Sequence, residues 1–207
     1  MTYPNDWYDY IKRSFDVSSL KKWEDNNEEF VCFFNRFSNL IKDSSILLIG
    51  TGSTEIMFTE WPNILRGRGA KQITYLEIYG GYCNRFANRE YEIIQGDVTE
   101  IDRYISAGNF DLICWFHGPE HISHEKMPTT FNKIKQMCNK GFVTICPFGS
   151  YYDGAPSQDN VYEDHIQSNL SINDFSEVLD ASFFSVGTKD APDAVIFGYY
   201  FKEDING

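Results

Sequence analysis

The stretch Ser45-Ile46-Leu47-Leu48-Ile49-Gly50-Thr51-Gly52 decides the fold. Its apolar part is continuous and not alternating, which is typical of a strand buried on both faces of a parallel sheet. The glycines that follow permit a tight turn and let a ligand approach the backbone where a helix begins. The stretch therefore predicts the first strand of an α/β domain, with a ligand site at its carboxyl end.

Further strands and helices alternate along the chain after this stretch. Continuous apolar runs predict four more buried strands, and segments with helical spacing predict the helices between them. The predicted strands cover residues 72–77, 91–95, 110–115 and 141–146, and the clearest helices cover residues 53–65 and 128–138. Regular alternation of this kind predicts a doubly wound, Rossmann-like parallel sheet.

The end of the chain departs from the alternation. Two strands are predicted at residues 182–186 and 195–200, and only a turn over residues 189–193 separates them. A turn this short makes an antiparallel hairpin, because a parallel connection needs a crossover of a dozen or more residues. The expected sheet is therefore mostly parallel and seven-stranded, with an antiparallel C-terminal hairpin strand.

The start of the chain is predicted to be helical and rich in aromatic residues. Apolar residues recur at helical spacing from Trp23 to about Ile41, and Trp7 to Ile11 forms either a short lid helix or further core-packing surface. We expect one domain over residues 1–207, with an N-terminal helical extension or lid over 1–43 and a Rossmann-like core over 44–203.

Composition limits the class of partner. The net charge of −12 disfavours a nucleic-acid substrate, because a phosphate backbone needs a basic surface. No stretch is long and apolar enough for a membrane span, and the first residues lack the features of a secretory signal. The five cysteines are odd in number and contain no CxxC pair, which favours buried free thiols and a cytoplasmic location. The oligomeric state is left open.

Three predicted strand ends carry groups suited to a nucleoside-containing cofactor. Gly50-Thr51-Gly52 follows strand 1, Glu77 ends strand 2, and Asp97-Val98 follows strand 3. A carboxylate in the second position can accept hydrogen bonds from both hydroxyls of a ribose, and one in the third can accept from the amino group of adenine. The carboxyl ends of parallel strands converge on one crevice, so these groups are expected to share a pocket.

The same residues distinguish between two such cofactors. The dinucleotide fingerprint requires a third glycine where this chain has Glu55, which would place a carboxylate against a pyrophosphate. S-adenosylmethionine (SAM) has no pyrophosphate, and its cationic sulfonium suits an acidic pocket. The pattern therefore favours SAM over NAD.

Residues 46–146 resemble a class I SAM-dependent methyltransferase, with Gly50-Thr51-Gly52 as the first motif and residues 110–113 as the fourth-strand motif. The resemblance implies methyl transfer, with Glu77 on the ribose and Asp97 on the adenine. Leu48 stands where the family often has an acid that holds the methionine amino group, and Thr54 where it has a third small residue. The alternative that Leu48 favours is an inactive SAM-binding domain that acts as a partner or regulator.

A histidine-rich segment follows strand 4, with His117, Glu120 and His121 in the spacing H-x-x-E-H. Zinc peptidases need that pattern on a continuous helix, and Gly118-Pro119 argues against one. The segment resembles the E-x-x-E-H metal-binding motif of ubiquinone-pathway and RNA-end methyltransferases, and the resemblance adds His165. It implies a candidate catalytic set of these four residues.

The catalytic set is compatible with two mechanisms. A divalent metal could lower the pKa of an acceptor hydroxyl, or a histidine could act as its general base. The second is preferred, so a metal is possible but not favoured. The polar segment 153–169 predicts a small hydroxylated acceptor, such as a sugar or another small metabolite.

Overall fold

A computed structural model of the chain describes residues 38–51, 61–87, 91–147, 149–150, 160–167, 169–188 and 191–202. The predicted lid helix, most of the helix over 23–41, Gly52 and the start of the helix predicted over 53–65 lie outside the described residues. In the described ranges, every helix is too short or too polar to cross a membrane.

The regular structure of the described residues consists of short helices around one large sheet and one small sheet. The helices are α1 Ser38–Ile41, α2 Trp61–Gly67, α3 Gly80–Phe86, α4 Met127–Met137 and α5 Asn173–Ser176. The strands are β1 Ser45–Ile49, β2 Gln72–Glu77, β3 Glu92–Gln95, β4 Phe110–Phe116, β5 Cys138–Pro147, β6 Gly149–Ser150, β7 Asn169–Leu170, β8 Asp180–Thr188 and β9 Ala191–Phe201.

The large sheet has seven strands in the order β3-β2-β1-β4-β5-β9-β8. Strands β1 to β5 pair in parallel, while β9 pairs antiparallel with both β5 and β8. The hairpin thus inserts its second strand between β5 and β8. The predicted fold, a mostly parallel seven-stranded sheet with an antiparallel C-terminal strand, is confirmed.

Strand β1 lies inside the sheet, between β2 and β4, and is covered on both faces. Ile46 and Leu48 pack into one core together with Trp61. Leu47 and Ile49 point to the opposite face and pack into a second core. This two-sided burial is the physical reason for the continuous apolar run, because neither face of the strand meets water. Leu48 is a core residue, 4% exposed.

Several predicted boundaries shift. Strand β5 begins at Cys138, three residues before the predicted start at 141, because Cys138 already pairs with Phe110 across a register shift. The predicted turn over 189–193 is shorter than expected, since β9 starts at Ala191 and its first residues pair with β8. Strand β3 starts at Glu92. Helix α3 and the small β6–β7 sheet carry no strong sequence signal.

Candidate functional site

The carboxyl ends of β1, β2 and β3 form one edge of the site, which we call the cofactor edge (Gly50, Thr51, Glu77, Asp97 and Val98). Gly50 adopts φ of 80°, a left-handed conformation that glycine takes without steric cost. Its N–H donates to the carbonyl of Leu76 at 2.8 Å, which fixes the turn against β2. The backbone therefore leaves the strand conformation at Gly50, where the sequence predicts a ligand.

Glu77 is the most strongly anchored residue of the cofactor edge. One carboxylate oxygen, Oε2, accepts from the backbone N–H of Thr51 at 2.7 Å and from its hydroxyl at 2.8 Å. The other, Oε1, accepts from the N–H of Tyr79 at 2.8 Å. A carboxylate has about four lone-pair sites, so Oε1 can take one further donor without loss of these bonds. Glu77, 5% exposed, thus binds the first turn and keeps capacity for a ligand hydroxyl.

Asp97 caps the 3₁₀ helix Val98–Arg103, because its Oδ1 accepts from the N–H of Thr99 at 2.8 Å. The cap uses one carboxylate oxygen and leaves Oδ2 for another donor. The side chain of Val98 is buried just beyond it. Asp97 can therefore serve both the local helix and a bound amino group.

A single pocket joins the cofactor edge to the histidine segment. Its lining includes the predicted residues Gly50, Glu77, Asp97, Val98, His117 and His121. Thr51, Glu120 and His165 are not among the lining residues, and Gly52 lies outside the described residues. Sequence reasoning missed other lining residues, chiefly Tyr82, Trp115, Phe116, Ile122, Asn160 and Tyr162. Position could have indicated Trp115 and Phe116, which directly precede His117, whereas Tyr82 and Asn160 carry no distinguishing pattern.

His117 makes the turn out of β4. Its φ is 47°, a left-handed conformation that costs a non-glycine residue about 1–2 kcal/mol. Its N–H donates to the carbonyl of Ile145 at 2.7 Å, and its Nδ1 lies 3.6 Å from Oε1 of Glu120. After it, Pro119–His121 forms one 3₁₀ turn of 3 residues. This is not the continuous helix that the zinc peptidase motif requires.

The carboxylate of Glu120 is buried and accepts no hydrogen bond from the described residues. Glu120 is 1% exposed, and neither of its carboxylate oxygens has a hydrogen-bond partner among the described residues. A buried carboxylate in this state is costly, and such groups are concentrated at functional sites. When His117 is protonated, it lies close enough to the carboxylate of Glu120 to form an ion pair with it.

His121 and His165 meet although they are distant in sequence, since Asp164, the residue before His165, lies 43 positions after His121. Their rings are 4.7 Å apart between centroids and nearly perpendicular, at 78°. Nδ1 of His121 lies 3.1 Å from the carbonyl oxygen of Asp164. A carbonyl can only accept, so Nδ1 of His121 carries the hydrogen and Nε2 of the neutral ring is left with its lone pair.

Glu120, His121 and His165 form a compact group, which we call the histidine cluster. One ligand atom from each lies within 4.8 Å of the others, and the mixture of carboxylate oxygen and imidazole nitrogen is a donor set that divalent zinc accepts. His117 contacts Glu120 but does not belong to this group. His124 is also separate, since its exposed ring lies 3.4 Å from Asp174.

The thiols near the site are protonated. Burial raises the pKa of Cys146 well above its usual range, and the negative charge of Glu120 raises it further. Burial also raises the pKa of Cys83, to which the charge of Glu77 adds. All four cysteines of the described residues are free thiols, as the sequence predicts. None of these shifts produces the thiolate that a cysteine nucleophile requires.

Comparison with solved structures places this fold. The chain is similar to a SAM-dependent methyltransferase from Mesorhizobium loti, with a TM-score of 0.57 and 11% identity over 78% of this chain and 92% of that one. It is also similar to the SAM-bound magnesium protoporphyrin IX methyltransferase from Synechocystis PCC 6803, with a TM-score of 0.54 and 11% identity over 94% and 89% of the two chains. The fold is that of class I SAM-dependent methyltransferases.

The same comparison gives one neighbour of another description. A structure described as a Zn-dependent alcohol dehydrogenase from Rhodobacter sphaeroides has a TM-score of 0.59 and 12% identity over 97% of this chain and 100% of that one. No protein-family model matches the chain, and no curated protein matches it by sequence. At these identities the likeness establishes the fold, and the activity must be argued from the site.

Proposed function

We propose that this protein is a SAM-dependent methyltransferase that methylates a hydroxyl group of a small polar acceptor. The observation that carries the proposal is the shared pocket, in which the cofactor edge faces the histidine segment at the carboxyl end of a methyltransferase-type sheet. Ligands of open α/β sheets bind at this edge.

The residues of the cofactor edge fit SAM. Glu77 keeps one acceptor site on Oε1 for a ribose hydroxyl, and Asp97 keeps Oδ2 for the adenine amino group. Two carboxylates in the lining favour a cationic ligand and repel a phosphate, which supports SAM over NAD and an uncharged or cationic acceptor over an anionic one. When bound, SAM supplies an electrophilic methyl group on a positively charged sulfur.

In the proposed reaction, His121 acts as general base. Its Nε2 accepts the proton of the acceptor hydroxyl while the oxygen forms its bond to the methyl group and the carbon–sulfur bond breaks. The products are a methyl ether, a neutral thioether and a protonated His121, which then returns its proton to water. His165 packs against His121 and fixes the ring, and the negative charge of Glu120 stabilises the imidazolium.

A divalent metal is not favoured in this mechanism, although the histidine cluster offers a suitable donor set. Glu120 has a charge partner within the chain when His117 is protonated, because Nδ1 of His117 lies 3.6 Å from Oε1 of Glu120. The base mechanism therefore needs no ion from solution. The paired histidines also argue against the inactive-domain alternative, since an inert domain has no use for a buried carboxylate beside them.

We place the acceptor on the histidine side of the pocket and the reaction in the cytoplasm. The described part of the polar segment contributes Asn160, which is buried, and Tyr162 to the pocket lining. A hydroxyl and an amide there can hold a hydroxylated molecule.

Free thiols in the described residues are typical of a reducing compartment, which supports the proposed cytoplasmic location.

The proposal is tested by calorimetric titration with SAM, S-adenosylhomocysteine (SAH) and NAD. We expect the first two to bind and NAD not to bind. Glu77→Ala should weaken SAH binding by about 1–3 kcal/mol, the usual cost of losing a charged hydrogen-bond partner. Glu125→Ala, which removes an exposed carboxylate of the same type, is the control. Binding of NAD alone would refute the proposal.

The acceptor is tested separately by a screen of hydroxylated small molecules with methyl-labelled SAM. Transfer of label to a neutral sugar, sugar alcohol or small hydroxylated metabolite is expected, together with release of SAH. Exclusive labelling of amines or of nucleic acid would contradict the proposed acceptor while leaving the proposed cofactor intact.

A further inference from the structure

We infer that Gln167 is a positioning residue that holds His121 in the tautomer required of a general base. The inference rests on the proposed function for its catalytic meaning, but its structural content concerns only residues of this chain. It involves the segment 160–167, which packs against the loop 117–122.

Two sets of hydrogen bonds fix this segment on either side of His121. The backbone N–H groups of Ile166 and Gln167 both donate to the carbonyl of Glu120, at 3.0 and 3.1 Å. The side-chain Nε2 of Gln167 donates to the carbonyl of Ile122 at 2.5 Å. Gln167 thus binds both neighbours of His121 in the chain, one through its backbone and the other through its side chain.

The anchored segment delivers the group that selects the tautomer. Asp164, three residues before Gln167, places its carbonyl oxygen 3.1 Å from Nδ1 of His121. Only the Nδ1–H form can donate to it, and this form leaves Nε2 as the acceptor. A neutral imidazole in water prefers the opposite form, with the proton on Nε2. Without the segment in place, His121 would therefore carry its proton on the nitrogen that must accept one.

The same anchor determines the contact between the two histidines. His165 lies between Asp164 and Gln167, so its approach to His121 at 4.7 Å depends on the register of this segment. The amide of Gln167 also contacts Sδ of Met127, which is fully buried at the start of α4. The segment is thus tied to the core of the protein through one side chain.

The test is ring ¹⁵N NMR of the histidines in Gln167→Met. Methionine is close to glutamine in size but has no N–H donor, so packing is largely retained while the bond to Ile122 is lost. The chain has 4 histidines, and the spectrum of His121→Ala assigns the signal of interest. In the wild type we expect His121 in the Nδ1–H form. In Gln167→Met we expect a mixture in which the Nε2–H form is clearly populated.

Gln136→Met is the matched control, because Gln136 is exposed on α4 and far from the segment in sequence. It should leave the tautomer unchanged. Gln167→Glu is a second variant of the same shape, and its carboxylate in place of the amide should produce the same shift as Gln167→Met. If Gln167→Met fails to fold, the wild-type spectrum and Gln167→Glu decide the matter.

Kinetics give the second readout. In Gln167→Met, kcat should fall about 10- to 100-fold with an unchanged KM for SAM, because binding is intact and the base carries its proton on the wrong nitrogen. An Nε2–H tautomer in the wild type, or an unchanged tautomer in both variants, would overturn the inference. Failure to bind SAM would refute the proposed function and leave the tautomer result standing.

Discussion

Glu77 and Glu120 are both buried carboxylates at the same pocket, at 5% and 1% exposure, but the chain treats them differently. Glu77 accepts three hydrogen bonds from the turn residues Thr51 and Tyr79. The carboxylate of Glu120 accepts none from the described residues. The carboxylate of the cofactor edge is therefore held by hydrogen bonds from its own chain, whereas the carboxylate of the histidine cluster is buried without a hydrogen bond from the described residues.

This difference indicates which interactions position the residues of the cofactor edge and which position those of the histidine cluster. Glu77 and Asp97 are positioned by strand ends and local turns, so their hydrogen bonds stabilise the fold as well as the site. The histidine cluster and the neighbouring His117 combine a left-handed backbone at His117, a Glu120 carboxylate without a hydrogen bond from the described residues, and a contact with a segment more than 40 residues away. Costs of this kind are typical of catalytic sites, where function and not stability selects the arrangement.

The largest expected effect comes from the histidine cluster. His121→Ala should lower kcat by about 10²- to 10⁴-fold, the usual contribution of a general base. His165→Ala should lower kcat by a smaller factor, because His165 only fixes the ring of His121. The affinity for SAH should hardly change, because neither residue belongs to the cofactor edge. His124→Ala, which alters an exposed histidine outside the cluster, should retain activity. Single-turnover assays with the acceptor found in the screen measure the effect. Equal rates in all three variants would rule out a catalytic role for the cluster.

The comparison between the two carboxylates can be tested directly by unfolding. Glu77→Gln should lower the free energy of unfolding by about 1–3 kcal/mol, because Thr51 and Tyr79 lose charged acceptors. Glu120→Gln should leave it unchanged or raise it by about 1 kcal/mol, because a buried charge without hydrogen bonds is removed. Urea denaturation monitored by tryptophan fluorescence measures both. Comparable losses in the two variants would show that Glu120 is as well compensated as Glu77.

A third prediction concerns Gly118 and Trp115, which line the pocket shared by the cofactor edge and the histidine segment. A Cβ at Gly118 would lie 1.7 Å from Nε1 of Trp115, whose ring is buried against Phe131. Gly118→Ala should therefore cost about 1–3 kcal/mol of stability and also weaken SAH binding, since both residues line the pocket. Gly67→Ala, with no atom within 4 Å of the added Cβ, should be neutral or slightly stabilising. Thermal melts with and without SAH separate the two effects.

The smallest expected effect is that of metal removal. Under the base mechanism, treatment with a chelator should leave kcat unchanged. Loss of activity on chelation with recovery on adding a divalent metal would instead assign the metal to Glu120, His121 and His165. Metal analysis of the purified protein before treatment is the control, because it shows whether there was metal to remove.

Much of the fold was predictable because its signals are local. Strands β1 and β2 have the predicted bounds. In both, the ends of the strand coincide with the ends of a largely apolar run, which can be read directly from the sequence. Boundaries at β5 and at the hairpin were wrong by up to four residues, because Cys138 already pairs with Phe110 and the first residues of β9 pair with β8. Helix α3 begins with two glycines and was not predicted.

The candidate site was predictable to different extents in its two halves. Glu77 and Asp97 could be found because each directly follows a strand, and their placement on one edge follows from parallel topology. Tyr82 and Asn160 were missed, because they reach the pocket from a helix and a long connection. The role of Thr51 as the hydrogen-bond donor to Glu77 also depends on the pairing of β1 with β2.

By itself the sequence determined the class of fold, the order of its parallel strands along the chain, and the residue types at their ends. These features are local, because buried strands and turns each require particular residue types within a few consecutive positions. Only the tertiary structure decided that the segment 160–167 reaches the loop after β4 and that the carbonyl of Asp164 contacts Nδ1 of His121. The tertiary structure also decided that the carboxylate of Glu120 is buried without a hydrogen bond from the described residues. The reason is physical: hydrogen bonds between distant segments depend on how the chain closes around the sheet, and no local pattern encodes their geometry.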